Sequence, residues 1–330
     1  AASTYTGGLN FTNTVNFGGG VRIVTNEVPV TMSGAMADGG LTKFGAGTLT
    51  LSGANTYAGG TTVRAGTLIH NATNTSSAMA VSVGAMLYGS GQVGALTLAG
   101  AASAGAAADA VGTLTAGAVN LEAASALVVD FTTISGSAGT DWDWIAGSGA
   151  VTVNATTNSK CVISLRGAPA DFNKTLGHTN IIVSGTSLSG FDTNKFSLNA
   201  SGFGADIGYG GFIVGSRDTT NIVLIYVPGP ISEPTVVTLA ISNGTPTSAK
   251  SGGNVISEGG ASVDDRGVVW NTSGMPVIGV DSEVANGTGT GTYDAVLTGL
   301  TPGATYYVRA YAANIAGVGY GNEVVFTADC

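Results

Sequence analysis

The sequence predicts an all-β protein: a solenoid of short stacked strands followed by a β-sandwich. Glycine accounts for 53 of 330 residues and charged residues for only 9%, while 44% of residues are hydrophobic. This is enough apolar surface for a core, so the composition is not that of a disordered chain. Short runs of alternating apolar and polar residues recur between Gly- and Asn-rich corners, a pattern typical of half-buried strands joined by tight turns.

The clearest runs lie in residues 39–71, which contain the segments TLTL, TTVR and TLI. Strands this short cannot enclose a core alone, so each must be covered by a neighbouring turn, as in a solenoid. Residues 45–68, GAGTLTLSGANTYAGGTTVRAGTL, closely resemble the autotransporter-associated β-strand repeat of bacterial secreted proteins, also called the passenger-associated transport repeat. The resemblance implies a right-handed parallel β-helix, export, and an extracellular structural or adhesive role without catalysis.

We assign residues 1–227 to this β-helix, with about ten turns at roughly 20–25 residues per turn. The longer and more aromatic strands between residues 141 and 227 are suited to an end cap that covers the last open turn. After the repeat, the alternation places eight apolar residues on the inner face: Leu96, Leu98, Leu114, Val119, Leu121, Leu127, Val129 and Phe131.

The first residues have two interpretations, an early solenoid strand or a free strand that pairs with another subunit. An extended segment can join an exposed sheet edge at little cost. The chain begins with small residues and without Met, which fits a secreted protein whose signal peptide has been removed. The candidate subunit-contact strand comprises Ala1, Ala2, Ser3, Thr4, Tyr5 and Thr6.

Residues 228–234, PGPISEP, predict a stiff linker. Residues 235–330 contain strand-like runs at near-regular spacing, which predicts a β-sandwich. Residues 297–328, LTGLTPGATYYVRAYAANIAGVGYGNEVVFTA, resemble the C-terminal half of a fibronectin type III domain. The resemblance places a tyrosine corner at Leu300, Pro302, Gly303 and Tyr306, and it turns Val308, Ala310 and Ala312 towards the core.

The charge balance restricts the partners. Twenty acidic residues against eleven basic ones give a net charge of −9, which argues against nucleic acid or anionic lipid. No apolar run reaches the roughly 18 residues of a membrane span, so we expect no membrane insertion. The expected partners are other copies of the chain, with host or surface glycans as a further class.

Two cysteines are too few for a disulfide scaffold. Cys161 lies in an apolar strand-like run, and Cys330 is the last residue of the sequence. A bridge within one chain, a bridge to Cys161 of a neighbouring chain, and two free thiols all remain open.

The residues that could carry chemistry are few. His70 and His178 have no triad partners nearby, and we interpret His70 as a solvent-facing turn residue. Asp141 and Asp143 alternate with two tryptophans in DWDW, so a strand would turn both carboxylates to water and both indoles inward. Paired carboxylates also occur in glycosidases, which leaves a carbohydrate role as an alternative.

Calcium is the one cofactor for which the sequence offers candidate ligands. Asp264, Asp265, Asp281 and Glu283 offer carboxylates for a weak surface site, but no EF-hand loop or calcium-binding nonapeptide is present. We therefore expect no cofactor, and no enzymatic activity.

The sequence thus leads to two hypotheses. The first is a secreted bacterial structural or adhesive protein, the subunit of an extracellular filament or surface layer. The second is a monomeric extracellular module that binds or cleaves carbohydrate.

Overall fold

The computed structural model describes residues 8–330, so the candidate strand at Ala1–Thr6 lies outside the described residues. The chain divides into two compact units. The first comprises Ala1–Asn173, Gly177–Asp206 and Phe212–Val227, and the second comprises Lys174–Leu176, Ile207–Gly211 and Pro228–Cys330.

The first unit is built from short strands and one 3-10 helix. In chain order these are β1 (Leu9–Phe11), β2 (Val15–Asn16), β3 (Val21–Thr25), β4 (Val30–Met32), β5 (Met36–Ala37), β6 (Gly40–Phe44), β7 (Thr48–Leu51), β8 (Thr61–Val63), β9 (Thr67–His70), β10 (Thr73–Asn74), β11 (Met79–Val81), β12 (Met86–Tyr88), β13 (Gln92–Val93), β14 (Leu96–Leu98), β15 (Ala101–Ser103), β16 (Thr113–Ala116), β17 (Val119–Leu121), β18 (Ala126–Asp130), β19 (Trp144–Gly147), β20 (Val151–Val153), β21 (Cys161–Gly167), β22 (His178–Ser184), β23 (Leu188–Ser189), the helix η1 (Thr193–Lys195), β24 (Phe196–Phe203), β25 (Gly211–Arg217) and β26 (Asn221–Val227).

These strands stack into three long sheets and one short pair. The first sheet has the order β1-β4-β7-β9-β12-β15-β18-β21-β24, and the second has the order β3-β6-β8-β11-β14-β17-β20-β23. The third has the order β10-β13-β16-β19-β22-β26-β25, and β2 pairs with β5. In the first two sheets, neighbouring strands come from successive turns and are all parallel. The predicted parallel solenoid is confirmed.

The turns of the repeat region have a constant length. Val30 pairs with Leu49, Leu49 with Leu68, and Leu68 with Leu87, so each of these turns adds 19 residues. These three turns are shorter than the 20–25 residues predicted as an average, because the corners are tight: Gly45 adopts φ +80°, and an added Cβ would collide with the carbonyl oxygen of Asn26 in the preceding turn. From Leu9 to Leu198 the eight steps of the first sheet cover 189 residues, about 24 per turn, which agrees with the predicted average. All eight predicted inner-face residues between Leu96 and Phe131 are buried, which confirms the alternation.

The C-terminal strands of this unit stop the parallel stacking. Strand β26 runs antiparallel to β22, and β25 lies beyond β26 at the edge of the sheet. The parallel stacking of the third sheet therefore ends at β22. Phe172, Phe203, Phe212 and Tyr226 form a cluster there, in which the contacting pairs have ring centroids 4.8–6.2 Å apart. All four belong to the aromatic segment that the sequence predicts as a cap, and Phe212 and Tyr226 lie on the two strands that end the third sheet.

The second unit is an antiparallel sandwich. Its strands are β27 (Thr235–Thr238), β28 (Ser248–Ser257), β29 (Asp265–Asn271), β30 (Ser282–Ala285), β31 (Gly291–Thr298), β32 (Thr305–Asn314), β33 (Gly317–Tyr320) and β34 (Val324–Thr327). One sheet has the order β27-β28-β31, and the other has the order β30-β29-β32-β33 with β34 also paired to β32. Val308, Ala310 and Ala312 of β32 are buried between them, as the fibronectin type III resemblance implies, and Trp270 of β29 is buried in the same core.

Candidate functional site

The carboxylates of the DWDW segment are not a pair facing water, and this part of the sequence interpretation is wrong. Asp143 is only 3% exposed, whereas Trp144 is only half-buried. The segment does not form one regular strand, because Trp142 lies in isolated bridges and β19 starts at Trp144. The alternation argument therefore did not apply across it.

Asp143 belongs to a buried polar cluster that links several turns. Its Oδ2 lies 2.8 Å from Ser103 Oγ, and its Oδ1 accepts the backbone N–H of Gly112 at 3.0 Å. Ser103 Oγ is also 3.3 Å from Asp130 Oδ2, which accepts a 2.7 Å hydrogen bond from the guanidinium of Arg166. Ser103, Asp130 and Asp143 are each less than 5% exposed.

Burial raises the pKa of Asp143 from 3.8 to about 7, and the negative charge of Asp130 acts in the same direction. In its protonated form Asp143 can donate to Ser103, which in turn donates to Asp130, whose charge is balanced by Arg166. The buried oxygens of Asp143, Ser103 and Asp130 then each have a hydrogen-bond partner, which is the arrangement that a low-dielectric interior favours, while Nε of Arg166 is buried without one.

The cluster has no room for a substrate. The cavity beside Ser103 and Asp143 has a volume of about 10 Å³, which is at most the size of one water molecule. Asp141, the other carboxylate of the segment, accepts hydrogen bonds from Thr133 and the backbone of Ser137. The two carboxylates therefore do not line a sugar-sized cleft of the kind that a glycosidase needs.

His70 is fully buried, so its interpretation as a solvent-facing turn residue is wrong. It follows Phe11, Met32 and Leu51 in one inward-facing ladder of the first sheet. Its Nε2 is 3.1 Å from the carbonyl oxygen of Gln92, and burial lowers its pKa. The signal was present in the sequence: His70 stands two residues after the inward Leu68, and side chains two apart in a strand share a face.

Lys43 is a buried charge that the sequence reasoning missed. It occupies an inward position of β6, in register with Val63 of the next turn, and is 0% exposed. Its ammonium donates to the carbonyl oxygens of Phe44 and Gly45 at 2.7 Å and of Ala65 at 3.2 Å. Burial lowers the pKa of Lys43, and the nearby Glu27 opposes that effect. The side chain thus connects the corners of two successive turns.

The two cysteines are free thiols in the structure. Cys161 is 0% exposed on β21, and burial raises its pKa to about 11, while Cys330 is exposed. A thiol that is buried and protonated reacts slowly, so any bridge from Cys161 requires β21 to open.

In the sandwich, the predicted corner residues lie together around Tyr306. Its hydroxyl accepts the backbone N–H of Thr301 at 2.9 Å, which is the hydrogen bond of a tyrosine corner. Leu300 and Tyr306 are buried, Gly303 adopts φ +71°, and Pro302 is exposed between them.

The carboxylates considered for calcium are engaged within the sandwich. Asp281 accepts the backbone N–H of Val277, and Glu283 accepts that of Gly279. Asp265 accepts a hydrogen bond from the hydroxyl of Tyr311 at 3.2 Å. Across residues 8–330, no group of three or more His, Cys, Asp or Glu side chains is placed to hold a metal ion. Over the same range, no helix has the length and apolar character needed to cross a bilayer.

Comparison with known proteins identifies the repeat. Residues 41–69 match the family profile described as the passenger-associated-transport-repeat. This is the segment that forms β6 to β9, and it indicates an autotransporter-associated protein that is secreted or displayed at the cell surface. A search of curated proteins finds no match.

Solved structures that resemble the chain include isolated sandwich domains and one large enzyme. The sixth fibronectin type III domain of human fibronectin type III domain containing protein 3 is 22% identical, with a TM-score of 0.19, over 35% of this chain and 92% of that one. A fibronectin type III domain of the human KIAA0970 protein is 14% identical, with a TM-score of 0.21, over 29% and 74%. Chitinase ChiW from Paenibacillus sp. str. FPU-7 is 15% identical, with a TM-score of 0.23, over 96% of this chain and 24% of that one. All three TM-scores are below 0.5, so these likenesses add no argument about function.

Proposed function

We propose that this protein is an extracellular structural or adhesive subunit that assembles with copies of itself into a filament or surface layer. The observation that supports this best is the placement of the buried polar groups in the solenoid. Lys43 bonds to the next turn, and Ser103, Asp130 and Arg166 bond to one another across turns. Buried carboxylates, hydroxyls and ammonium groups of this kind serve catalysis in many enzymes, whereas in this solenoid they join successive turns. The carbohydrate alternative receives no comparable support, since Asp143 is buried and Asp141 is engaged by Thr133 and the backbone of Ser137.

Two further contacts form part of the proposal. The segment Ala1–Thr6 would pair with a sheet edge of a neighbouring subunit, since added strands bind through backbone hydrogen bonds. Cys330, which is exposed, would form a disulfide with Cys161 of a second subunit, a step that requires β21 of that subunit to open because Cys161 is buried. Deleting residues 1–6 should weaken assembly, and reducing agent should collapse any ladder seen on a non-reducing gel.

The test is the assembly state of the purified chain. Sedimentation velocity over a hundredfold range of concentration, followed by negative-stain electron microscopy, should show concentration-dependent polymers of regular form. A monomer throughout this range would refute the proposal. A monomer that also binds a glycan on an array would favour the carbohydrate alternative instead.

A further inference from the structure

The first sheet of the solenoid contains an unbroken ladder of nine inward-facing residues, one from each strand. The pairing register gives Leu9, Val30, Leu49, Leu68, Leu87, Ala102, Leu127, Ile163 and Leu198 in succession. The seven residues between the two ends are each at most 6% exposed. Each of them is covered by the residue of the turn before it and the residue of the turn after it.

The two end residues lack this cover. Leu9 is 42% exposed, and its neighbour on the inward face of β1, Phe11, is 48% exposed. At the other end, Leu198 is only half-buried and lines a groove of about 330 Å³ together with Thr193, Phe196, Ile213 and Val214. Ile213 is itself 52% exposed. Among the described residues, no strand pairs beyond β1 or β24 in this sheet.

The two ends are also complementary in strand direction. All nine strands of the sheet are parallel. Strand β1 of a second copy can therefore join β24 as a tenth parallel strand without reversal, which continues the hydrogen-bonding pattern that already joins each turn to the next. In that register Leu9 of the second copy would stand over Leu198.

We infer that the subunits join head to tail, with β1 of one copy continuing the first sheet beyond β24 of the next copy. This inference rests on the proposed function and specifies its contact surface. The interface is heterologous, since two different surfaces meet, and a heterologous contact that does not close into a ring generates a filament. Nine strands per subunit at about 4.8 Å spacing give an axial rise of about 43 Å per subunit.

The test uses two blocked variants of the full chain. Leu9→Asp places a charge on the exposed head, and Leu198→Asp places one in the groove of the tail, where burial without a partner is unfavourable. Each variant alone should remain monomeric at concentrations at which the wild type assembles. An equal mixture should form dimers and nothing larger, because only one head and one tail remain intact. Circular dichroism and thermal unfolding of each variant establish that it is folded.

The matched controls carry the same new charge on neighbouring positions of opposite parity. Asn10→Asp and Ser197→Asp lie on the same two strands, in register with Thr31 and Val162 rather than with the ladder, and should assemble like the wild type. Assembly of both blocked variants at wild-type concentrations, or a mixture that stays monomeric, would overturn the head-to-tail contact while the proposed function stands. A wild type that never assembles would overturn the proposed function itself. The axial rise in wild-type filaments supplies a measurement without any variant, and a value far from about 43 Å would also reject the inference.

Discussion

Replacing Asp143 by asparagine should make the solenoid more stable at alkaline pH and leave its stability nearly unchanged near pH 4. The folded protein raises the pKa of Asp143 from 3.8 to about 7. Asparagine keeps an oxygen to accept the Gly112 N–H and an amide to donate to Ser103, so the two shorter hydrogen bonds of the protonated acid are retained; only the 3.4 Å hydrogen bond from the Asp130 N–H to Oδ2 loses its acceptor. The variant therefore removes the titration while keeping the two shorter contacts.

The sign follows from proton binding. At a pH well below 3.8, Asp143 binds a proton in both the folded and the unfolded chain and contributes no penalty, and at pH 4 the penalty is still small. As pH rises from about 4 to about 7, the unfolded chain releases this proton and the folded chain retains it, so the free energy of unfolding falls. The interval from 3.8 to about 7, at about 1.4 kcal/mol per pH unit, gives a penalty of about 4 kcal/mol above pH 7.

Differential scanning calorimetry of the full chain at a series of pH values measures this effect. For a unit of roughly 200 residues, 1 kcal/mol corresponds to about 2–4 °C in Tm, so at pH 8.5 the first-unit transition of the variant should lie up to about 8–16 °C above that of the wild type. Asp218→Asn is the matched control, because it makes the same chemical change on a side chain that is 70% exposed. If the difference in Tm between Asp143→Asn and the wild type is the same at pH 4 and pH 8.5, the reasoning is wrong.

Three further substitutions test the packing of the two units. Gly45→Ala should lower the midpoint of chemical unfolding of the solenoid by more than Gly84→Ala does. Both glycines adopt φ +80°, but only the Cβ added at Gly45 collides with the preceding turn. Lys43→Met should cost about 2–4 kcal/mol, because it removes the ammonium donor from the part-buried carbonyl oxygens of Gly45 and Ala65 and one of the two donors to that of Phe44. An unchanged urea midpoint would contradict this role. Tyr306→Phe should lower the free energy of unfolding of the sandwich by about 1–2 kcal/mol, because it removes the acceptor of the Thr301 N–H. Wild-type stability in equilibrium unfolding would contradict this.

Much of the fold followed from local pattern. The alternation between Leu96 and Phe131 identified the inner face because a β-strand turns every second side chain to the same side. The same parity, applied from Leu68, assigns His70 to the core, and its misassignment came from weighing residue type above position. In the sandwich, the resemblance of residues 297–328 to a fibronectin type III domain was enough to place Val308, Ala310 and Ala312 in the core.

The sequence by itself determined the class of fold, a parallel solenoid followed by a sandwich. Strand period and turn composition are local properties, which can be recognised in short stretches of sequence without the rest of the fold. Tertiary structure alone decided the chemistry of the interior: Ser103, Asp130, Asp143 and Arg166 are up to 63 positions apart in the chain, and stacking brings them within hydrogen-bonding distance of one another. It also decided that the ladder from Leu9 to Leu198 has two uncovered ends. Exposure at the end of a stack depends on which turns cover it, and no local pattern records that.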